Sequence, residues 1–223
     1  MFTTVIFDLD DTLYPESEYV HSCFMSVSSL ISRKYKIDES IIYQTLMATF
    51  ERGIRGRNFN VTLDELNLPY DELFIMQLVE HYRDHTPNIH LPECTKKVLE
   101  ALKNKVKLGI LTDGYYKSQK LKIEALGLAA TADGIEYTDR WGRENWKPNK
   151  KGYVNITKIL GEVPEKCCYV GDNPEKDFKG AKECGMYCIQ TVEWVKRGYE
   201  SLSIEYHPDL VIQRIDELMK YIW

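Results

Sequence analysis

The chain has 223 residues and a formal net charge of −5. This length allows one large domain or a core with an insertion, and it buries a sizeable hydrophobic core without disulfides. An acidic chain has no general attraction to nucleic acid or to anionic membrane, so we expect neither as a partner. The first residues do not resemble a secretory signal and no apolar stretch approaches the length of a membrane span, which favours a cytoplasmic location and leaves the oligomeric state open.

Five short apolar segments have the length and flanks of β-strands, and helical patterns separate most of them. The predicted strands are residues 4–8, 106–112, 134–137, 168–171 and 186–191. The predicted helices between and after them are residues 94–104, 118–126, 150–160, 175–184 and an amphipathic C-terminal helix, 212–222. Alternation of strands with helices predicts an α/β fold with a parallel sheet covered on both faces, a Rossmann-like three-layer core. Such a sheet binds ligands outside the carboxyl ends of its strands.

The segment that follows the first strand is helical in pattern. Apolar residues recur there at helical spacing in three stretches: Val20, Phe24, Val27 and Ile31, then Ile42, Leu46 and Phe50, and then Phe74, Leu78 and Tyr82. This spacing places them on one face of each helix. We interpret residues 14–91 as a small α-helical domain inserted into the α/β core.

The first predicted strand runs directly into two carboxylates, Asp8 and Asp10. Val5, Ile6 and Phe7 form a continuous apolar run, as expected of a strand that is buried on both faces. Two residues apart in an extended chain, Asp8 and Asp10 point to the same side. Bringing two like charges together is costly unless a cation or a phosphoryl transfer uses them. The pair therefore indicates a metal site.

Side chains able to carry chemistry follow later strands as well. The strand 168–171 is followed by Asp172, and a further carboxylate, Asp177, comes five residues later. The strand 106–112 ends in Thr112 and is followed closely by Gly114, and an isolated lysine, Lys147, precedes a proline. Each signal alone is common in unrelated proteins, but their order at successive strand ends favours one shared active site.

In this order the motifs resemble those of the haloacid dehalogenase superfamily, in its magnesium-dependent phosphatase branch. Residues 8–12 are similar to the first motif of that family, Thr112 to the second, Lys147 to the third and residues 171–177 to the fourth. The resemblance covers residues 1–13 and about 92–223, and it implies a Rossmann-like catalytic core there. It also implies that the insertion, residues 14–91, is a helical cap.

The resemblance implies a role for each carboxylate. Asp8 would attack phosphorus, and Asp10 would act first as general acid and then as general base. A Mg²⁺ ion would be held by Asp8, by the main-chain carbonyl of Asp10 and by Asp172. Asp177 would lie behind these ligands and orient a water or Lys147.

The substrate phosphate has its own expected partners. Thr112 and the backbone N–H groups of Asp113 and Gly114 would hold phosphate oxygens, and Lys147 would supply a positive charge. The second motif of the family often has Asn where this chain has Asp113. We expect the difference to matter little, because this position contributes its main chain.

Arg52, Arg55 and Arg57 lie among two glycines between predicted helices of the insertion. Arginine binds carboxylates and phosphates through paired hydrogen bonds, so these residues could select an acidic or doubly phosphorylated substrate. A solvated turn is the other interpretation of the same segment. Asp11 is interpreted as a solvated turn residue too.

We therefore expect a Mg²⁺-dependent phosphomonoester hydrolase that works through an aspartyl-phosphate. Its substrate would be a small phosphorylated metabolite, a sugar phosphate or a nucleoside monophosphate. A 2-haloacid dehalogenase would also use Asp8 as nucleophile, but it needs neither Asp10 nor a metal. A phosphosugar mutase would keep the metal site and differ in its product. A non-enzymatic metabolite-binding module is disfavoured because every motif residue is present.

Overall fold

The structure is a computed structural model that describes residues 2–222, and it divides the chain into two compact units. The core unit joins Met1–Glu16 to His90–Trp223, and the inserted unit is Ser17–Ile89. The division falls a few residues inside the limits predicted for the cap, 14–91. The insertion therefore begins soon after the first strand and its carboxylates.

The core unit is built on one sheet of six parallel strands. In chain order they are β1 (Thr4–Phe7), β2 (Lys107–Thr112), β3 (Gly134–Tyr137), β4 (Cys167–Gly171), β5 (Tyr187–Thr191) and β6 (Leu210–Ile212). Their order across the sheet is β3-β2-β1-β4-β5-β6, so the chain moves outward on one side of β1 and then returns to its other side. In doubly wound folds this reversal opens a ligand-binding crevice at the carboxyl ends of the central strands. The predicted α/β fold with a parallel sheet is confirmed.

The inserted unit consists of four α-helices in the part of the chain that the structure describes. They are α1 (Glu16–Tyr35), which starts one residue before the unit, α2 (Glu39–Glu51), α3 (Asn58–Glu65) and α4 (Glu72–Asp84). The apolar faces predicted for three of them are buried at their main positions, among them Val27, Leu46 and Leu78. The sequence pattern missed α3, whose buried face is short and contains a threonine, Thr62.

Four further helices connect the strands of the core unit. They are α5 (Glu93–Leu102), α6 (Tyr116–Ala125), α7 (Lys151–Leu160) and α8 (Pro174–Glu183). On one face of the sheet Ile6 and Leu111 pack in one buried cluster with Tyr153, Ile156 and Phe178 from α7 and α8. Helices α7 and α8 thus cover one face of the central strands.

The C-terminal segment differs from the predicted amphipathic helix, 212–222. Leu210–Ile212 forms β6, which pairs in parallel with β5, and Ile215–Lys220 forms a short 3-10 helix. Ile215, Leu218 and Ile222 are nevertheless buried. A three-residue strand is too short to show a periodicity, so the apolar spacing was assigned to one longer helix.

Within residues 2–222 no helix is both long enough and apolar enough to cross a membrane. The cytoplasmic location stays a prediction. All six cysteines are free in the structure: Cys23, Cys94, Cys167, Cys168, Cys184 and Cys188.

Candidate active site

Asp8 follows the last residue of β1 at the carboxyl end of the sheet. Its backbone N–H donates a hydrogen bond to the carbonyl of Val170 at 2.9 Å, which continues the pairing of β1 with β4 by one residue. Only 7% of Asp8 is exposed. The two central strands therefore fix a nearly buried carboxylate at the point where ligands bind in this fold.

Lys147 lies in the loop before α7 and has three hydrogen-bond partners for its buried ammonium group. Nζ donates to Asp8 Oδ1 at 2.5 Å, to Asp177 Oδ1 at 2.7 Å and to the hydroxyl of Tyr169 at 3.1 Å. The side chain of Asp113 fixes the loop, because its Oδ1 accepts from the backbone N–H of Lys147 at 3.1 Å. The structure thus brings three residues from separate sequence motifs into one network.

This network shifts the protonation equilibria of its members. The pKa of Asp8 is raised to about 7, chiefly by burial; Lys147 lowers it and the neighbouring carboxylate of Asp177 raises it. Burial alone would lower the pKa of Lys147, but the carboxylates of Asp177 and Asp8 hold it well above its ordinary value. Lys147 therefore stays charged, and Asp8 changes its protonation near neutral pH. A carboxyl group poised in this way is typical of a functional site.

Three buried carboxylates form a group that could hold a metal ion. Oxygens of Asp8, Asp172 and Asp177 lie within 4.8 Å of one another. The side chain of Asp177 packs against Gly171. A Cβ at position 171 would lie 2.5 Å from Asp177 Oδ2, so glycine is required there. Asp177 already accepts hydrogen bonds on both of its oxygens. Hard divalent cations prefer oxygen ligands, and this donor set fits Mg²⁺.

Arg197, in the loop after β5, forms ion pairs with Asp172 and Asp11. Gln190, at the end of β5, donates to the main-chain carbonyls of Asp172 and Arg197 at 3.1 and 2.7 Å. The interpretation of Asp11 as a solvated residue is wrong: it is 7% exposed, and its Oδ1 also accepts from the backbone N–H of Glu16 at 2.9 Å. A cation bound at Asp172 would have this guanidinium group as a neighbour.

Asp10 is surrounded by hydrogen-bond donors. Lys122 Nζ lies 2.8 Å from each of its carboxylate oxygens, Tyr14 donates to Oδ1 at 2.6 Å and Gln119 donates to Oδ2 at 2.9 Å. Burial alone would raise the pKa of Asp10, but Lys122 and the two other donors hold it below its ordinary value. Without substrate Asp10 is therefore a carboxylate, which is the form that accepts a proton from water.

The residues expected to bind phosphate lie beside Asp10. Thr112 ends β2, and its Oγ1 and the carbonyl of Asp113 each accept from Gln119 Nε2 at 2.6 Å. Gly114 has a φ of 111°, which favours glycine, and a Cβ there would lie 3.3 Å from the Gln119 side chain. The roles of Thr112, Asp113 and Gly114 in binding phosphate stay predictions. Gln119 connects this segment to Asp10.

The three arginines of the inserted unit are exposed. Arg52 donates to Glu65 at 2.6 Å, and Arg55 donates to the carbonyl of Phe50 at 2.6 Å and lies over its ring. Arg57 directly precedes α3. Their contact with substrate stays a prediction.

Sequence reasoning missed five polar residues at or beside the site: Tyr14, Gln119, Lys122, Tyr169 and Arg197. One signal could have revealed two of them. Gln119 and Lys122 are three residues apart, so they share one face of α6, and both are buried at 2% and 4% exposure. A polar pair on the buried face of a helix needs partners, and the carboxylates after β1 supply them.

Comparison with known proteins agrees with this geometry. The family model described as haloacid dehalogenase-like hydrolase matches residues 2–185, which includes all the motif residues named above and the insertion. Glyceraldehyde 3-phosphate phosphatase from Methanocaldococcus jannaschii is 30% identical across the whole chain and 97% of that protein. The enzyme of the same name from Methanopyrus kandleri is 26% identical over the same shares.

A solved structure agrees with these relatives. The crystal structure of a HAD phosphatase from Thermococcus onnurineus is similar with a TM-score of 0.62 and 25% identity, over 98% of this chain and 96% of that one. The match extends over almost the whole of both chains, so it includes the sheet and the segment inserted into it. The chain therefore belongs to the haloacid dehalogenase-like hydrolase family and is an enzyme of its phosphatase branch.

Proposed function

We propose that this enzyme is a Mg²⁺-dependent phosphomonoester hydrolase that forms an aspartyl-phosphate on Asp8. The observation that carries the proposal is the position of Asp8, which lies at a strand end between the ammonium group of Lys147 and the carboxylate of Asp172. Phosphoryl transfer needs an in-line nucleophile, positive charge around the phosphate oxygens and a proton for the leaving group. The core unit has a candidate for each.

In the first half of the reaction an oxygen of Asp8 attacks phosphorus and the bond from phosphorus to the ester oxygen breaks. The departing alkoxide takes a proton from Asp10, which has to be protonated in the enzyme–substrate complex for this step. Thr112, the backbone N–H groups of Asp113 and Gly114, and Lys147 hold the phosphate oxygens. The covalent intermediate divides one difficult hydrolysis into two easier steps.

In the second half a water attacks the phosphorus of the aspartyl-phosphate and the bond to Asp8 breaks. Asp10, now a carboxylate, takes the proton of that water, and it returns to the carboxylate form of the free enzyme when this proton passes to solvent. The donors around Asp10 favour the carboxylate form that this step requires.

Asp8, the main-chain carbonyl of Asp10 and Asp172 would hold the Mg²⁺ ion, with Asp177 behind them on Lys147. A bound Mg²⁺ neutralises charge on the phosphate and orients it toward the nucleophile. The chain itself already opposes its own carboxylates with Lys147 and Arg197.

The substrate is a small phosphorylated metabolite, and we propose a sugar phosphate or a nucleoside monophosphate. Two relatives that match the full chain are named for the triose phosphate glyceraldehyde 3-phosphate. That name supports testing three-carbon phosphates first. The arginines of the inserted unit are proposed to select a second anionic group.

The test is a panel of phosphorylated metabolites assayed for phosphate release with Mg²⁺, with chelator, and with Mg²⁺ restored. We expect activity only with the metal, and Asp8→Asn should stay folded by circular dichroism while losing turnover by several orders of magnitude. Retained hydrolysis in Asp8→Asn would exclude Asp8 as the nucleophile.

The same preparation separates the alternatives. Chloropropionate should release no halide, and metal-independent halide release would indicate a dehalogenase. For sugar phosphates, nuclear magnetic resonance of the products should show free sugar and phosphate. An isomeric sugar phosphate would indicate a mutase, and absence of turnover on every substrate would favour a binding module.

A further inference from the structure

Lys122 is a buried lysine that the proposed mechanism does not use. It is 4% exposed on α6, and its Nζ lies 2.8 Å from both oxygens of Asp10. Lysine is rarely buried to this extent, because removing an ammonium group from water costs free energy unless a partner compensates. The positive charge near the phosphate is already supplied by Lys147. A second buried lysine therefore needs a separate explanation.

The contacts of Lys122 hold Asp10 in one orientation. Tyr14 donates to Oδ1 at 2.6 Å and Gln119 to Oδ2 at 2.9 Å, so each oxygen of Asp10 accepts one of these bonds in addition to that of Lys122. These donors come from two parts of the chain. Tyr14 lies four residues after Asp10, and Gln119 and Lys122 lie on α6. Such an arrangement removes the rotational freedom that an aspartate in a loop otherwise has.

Gln119 relates this orientation to the phosphate site. The same amide nitrogen that donates to Asp10 also lies 2.6 Å from Thr112 Oγ1 and from the carbonyl of Asp113. Asp10 is therefore held at a fixed distance from the residues that are proposed to bind phosphate. Proton transfer to a leaving oxygen depends on this kind of fixed geometry.

We propose that Lys122 is a positioning residue for Asp10, and that it sets how well the enzyme cleaves phosphate esters with poor leaving groups. The inference rests on the proposed function, since it takes Asp10 as the proton donor. An alkoxide leaves only with a proton, whereas p-nitrophenolate is stable without one. Loss of Lys122 should therefore impair alkyl phosphates more than p-nitrophenyl phosphate.

The experiment compares kcat/KM for glycerol phosphate and p-nitrophenyl phosphate in Lys122→Met, in Lys122→Arg and in the matched control Lys120→Met. Lys120 lies on the exposed face of the same helix, so its replacement should leave both values unchanged. The quantity kcat/KM reports the steps up to the departure of the leaving group, so a slow second half of the reaction does not hide the effect.

In Lys122→Met we expect glycerol phosphate to lose on the order of a hundredfold in kcat/KM and p-nitrophenyl phosphate to lose roughly tenfold or less, within the range of general acid catalysis. Lys122→Arg should recover part of the loss, because guanidinium also pairs with a carboxylate. Tyr14→Phe should also lower kcat/KM for glycerol phosphate more than for p-nitrophenyl phosphate, but by smaller factors than Lys122→Met. It serves as the second variant if Lys122→Met does not fold.

Equal losses for the two substrates in Lys122→Met and Tyr14→Phe, or no loss in either, would overturn the proposal. Asp8→Asn, assayed in parallel, distinguishes failure of the positioning role of Lys122 from failure of the proposed function. If Asp8→Asn abolishes turnover and the Lys122 variants change kcat/KM equally for both substrates, the positioning role fails and the proposed function stands. If Asp8→Asn stays active, the proposed function fails first.

Discussion

Removing the ammonium group of Lys147 should destabilise the core unit by an amount that depends on pH. In Lys147→Met the buried carboxylate of Asp177 loses its hydrogen bond from Nζ at 2.7 Å, and Asp8 loses one at 2.5 Å. The side chains of Asp177 and Asp8 are 1% and 10% exposed, so water does not replace the lost partner. Removing one member of a buried ion pair costs about 3–5 kcal/mol.

The loss should be larger at high pH than at low pH. Lys147 lowers the pKa of Asp8, so without Lys147 the pKa of Asp8 in the folded state rises further above its value in the unfolded state. The folded protein then binds protons that the unfolded chain does not, so the stability of Lys147→Met falls as the pH rises from about 4 to about 8. Asp177→Asn added to Lys147→Met should restore part of the stability, because it removes one of the two buried charges.

Calorimetric unfolding in the presence of chelator, at about pH 5 and about pH 8, measures both effects. A loss of 3–5 kcal/mol lowers Tm by about 10 °C for a chain of this size. The double-mutant cycle of Lys147→Met with Asp177→Asn should give a coupling of about 1–3 kcal/mol. A loss below about 1 kcal/mol that is equal at the two pH values would refute the reasoning.

Three other predictions concern Mg²⁺ binding at Asp8, the packing of Asp177 on Gly171, and the arginines of the inserted unit. Because the pKa of Asp8 is about 7, Mg²⁺ binding should release protons and its apparent affinity should fall up to about tenfold per pH unit below 7, measured by titration calorimetry in two buffers; an affinity independent of pH would contradict this. Gly171→Ala should cost about 1–3 kcal/mol of stability, measured by urea unfolding, since its Cβ would overlap Asp177. Arg55→Ala and Arg57→Ala should lower kcat/KM for the best natural substrate roughly ten- to a hundredfold but spare p-nitrophenyl phosphate; equal losses would indicate a folding defect.

The central part of the fold could be predicted because strands that are buried on both faces consist of continuous apolar residues, which are visible in the sequence. The continuous apolar run Val5-Ile6-Phe7 is buried on both faces, and parallel pairing on each side requires this. The carboxylate that follows such a strand must lie at the carboxyl edge of the sheet. Strand ends that are far apart in sequence meet at that edge, which is why Asp8 and Asp172 could be assigned to one site. Lys147 lies in a loop, and only its resemblance to the third motif of the family assigned it to the same site.

The residues that support the site could not be assigned in the same way. Lys122 and Gln119 reach Asp10 because α6 packs with a certain rotation over the sheet, and strand ends alone carry no information on that rotation. Arg197 lies in a loop without periodicity, and its partner Asp11 was assigned to solvent because turn composition alone does not reveal an ion pair. The weak strand β6 is only three residues long.

The proposed mechanism requires that Asp8 becomes phosphorylated during turnover. Rapid acid quenching of Asp10→Asn during reaction with a substrate that has a good leaving group, followed by digestion and mass spectrometry, tests this step. Loss of the general base slows the breakdown of the intermediate, so the intermediate should accumulate. We expect one added phosphoryl group on the peptide that contains Asp8, and none in Asp8→Asn. Phosphate release with no labelled peptide, or a label on another peptide, would contradict it.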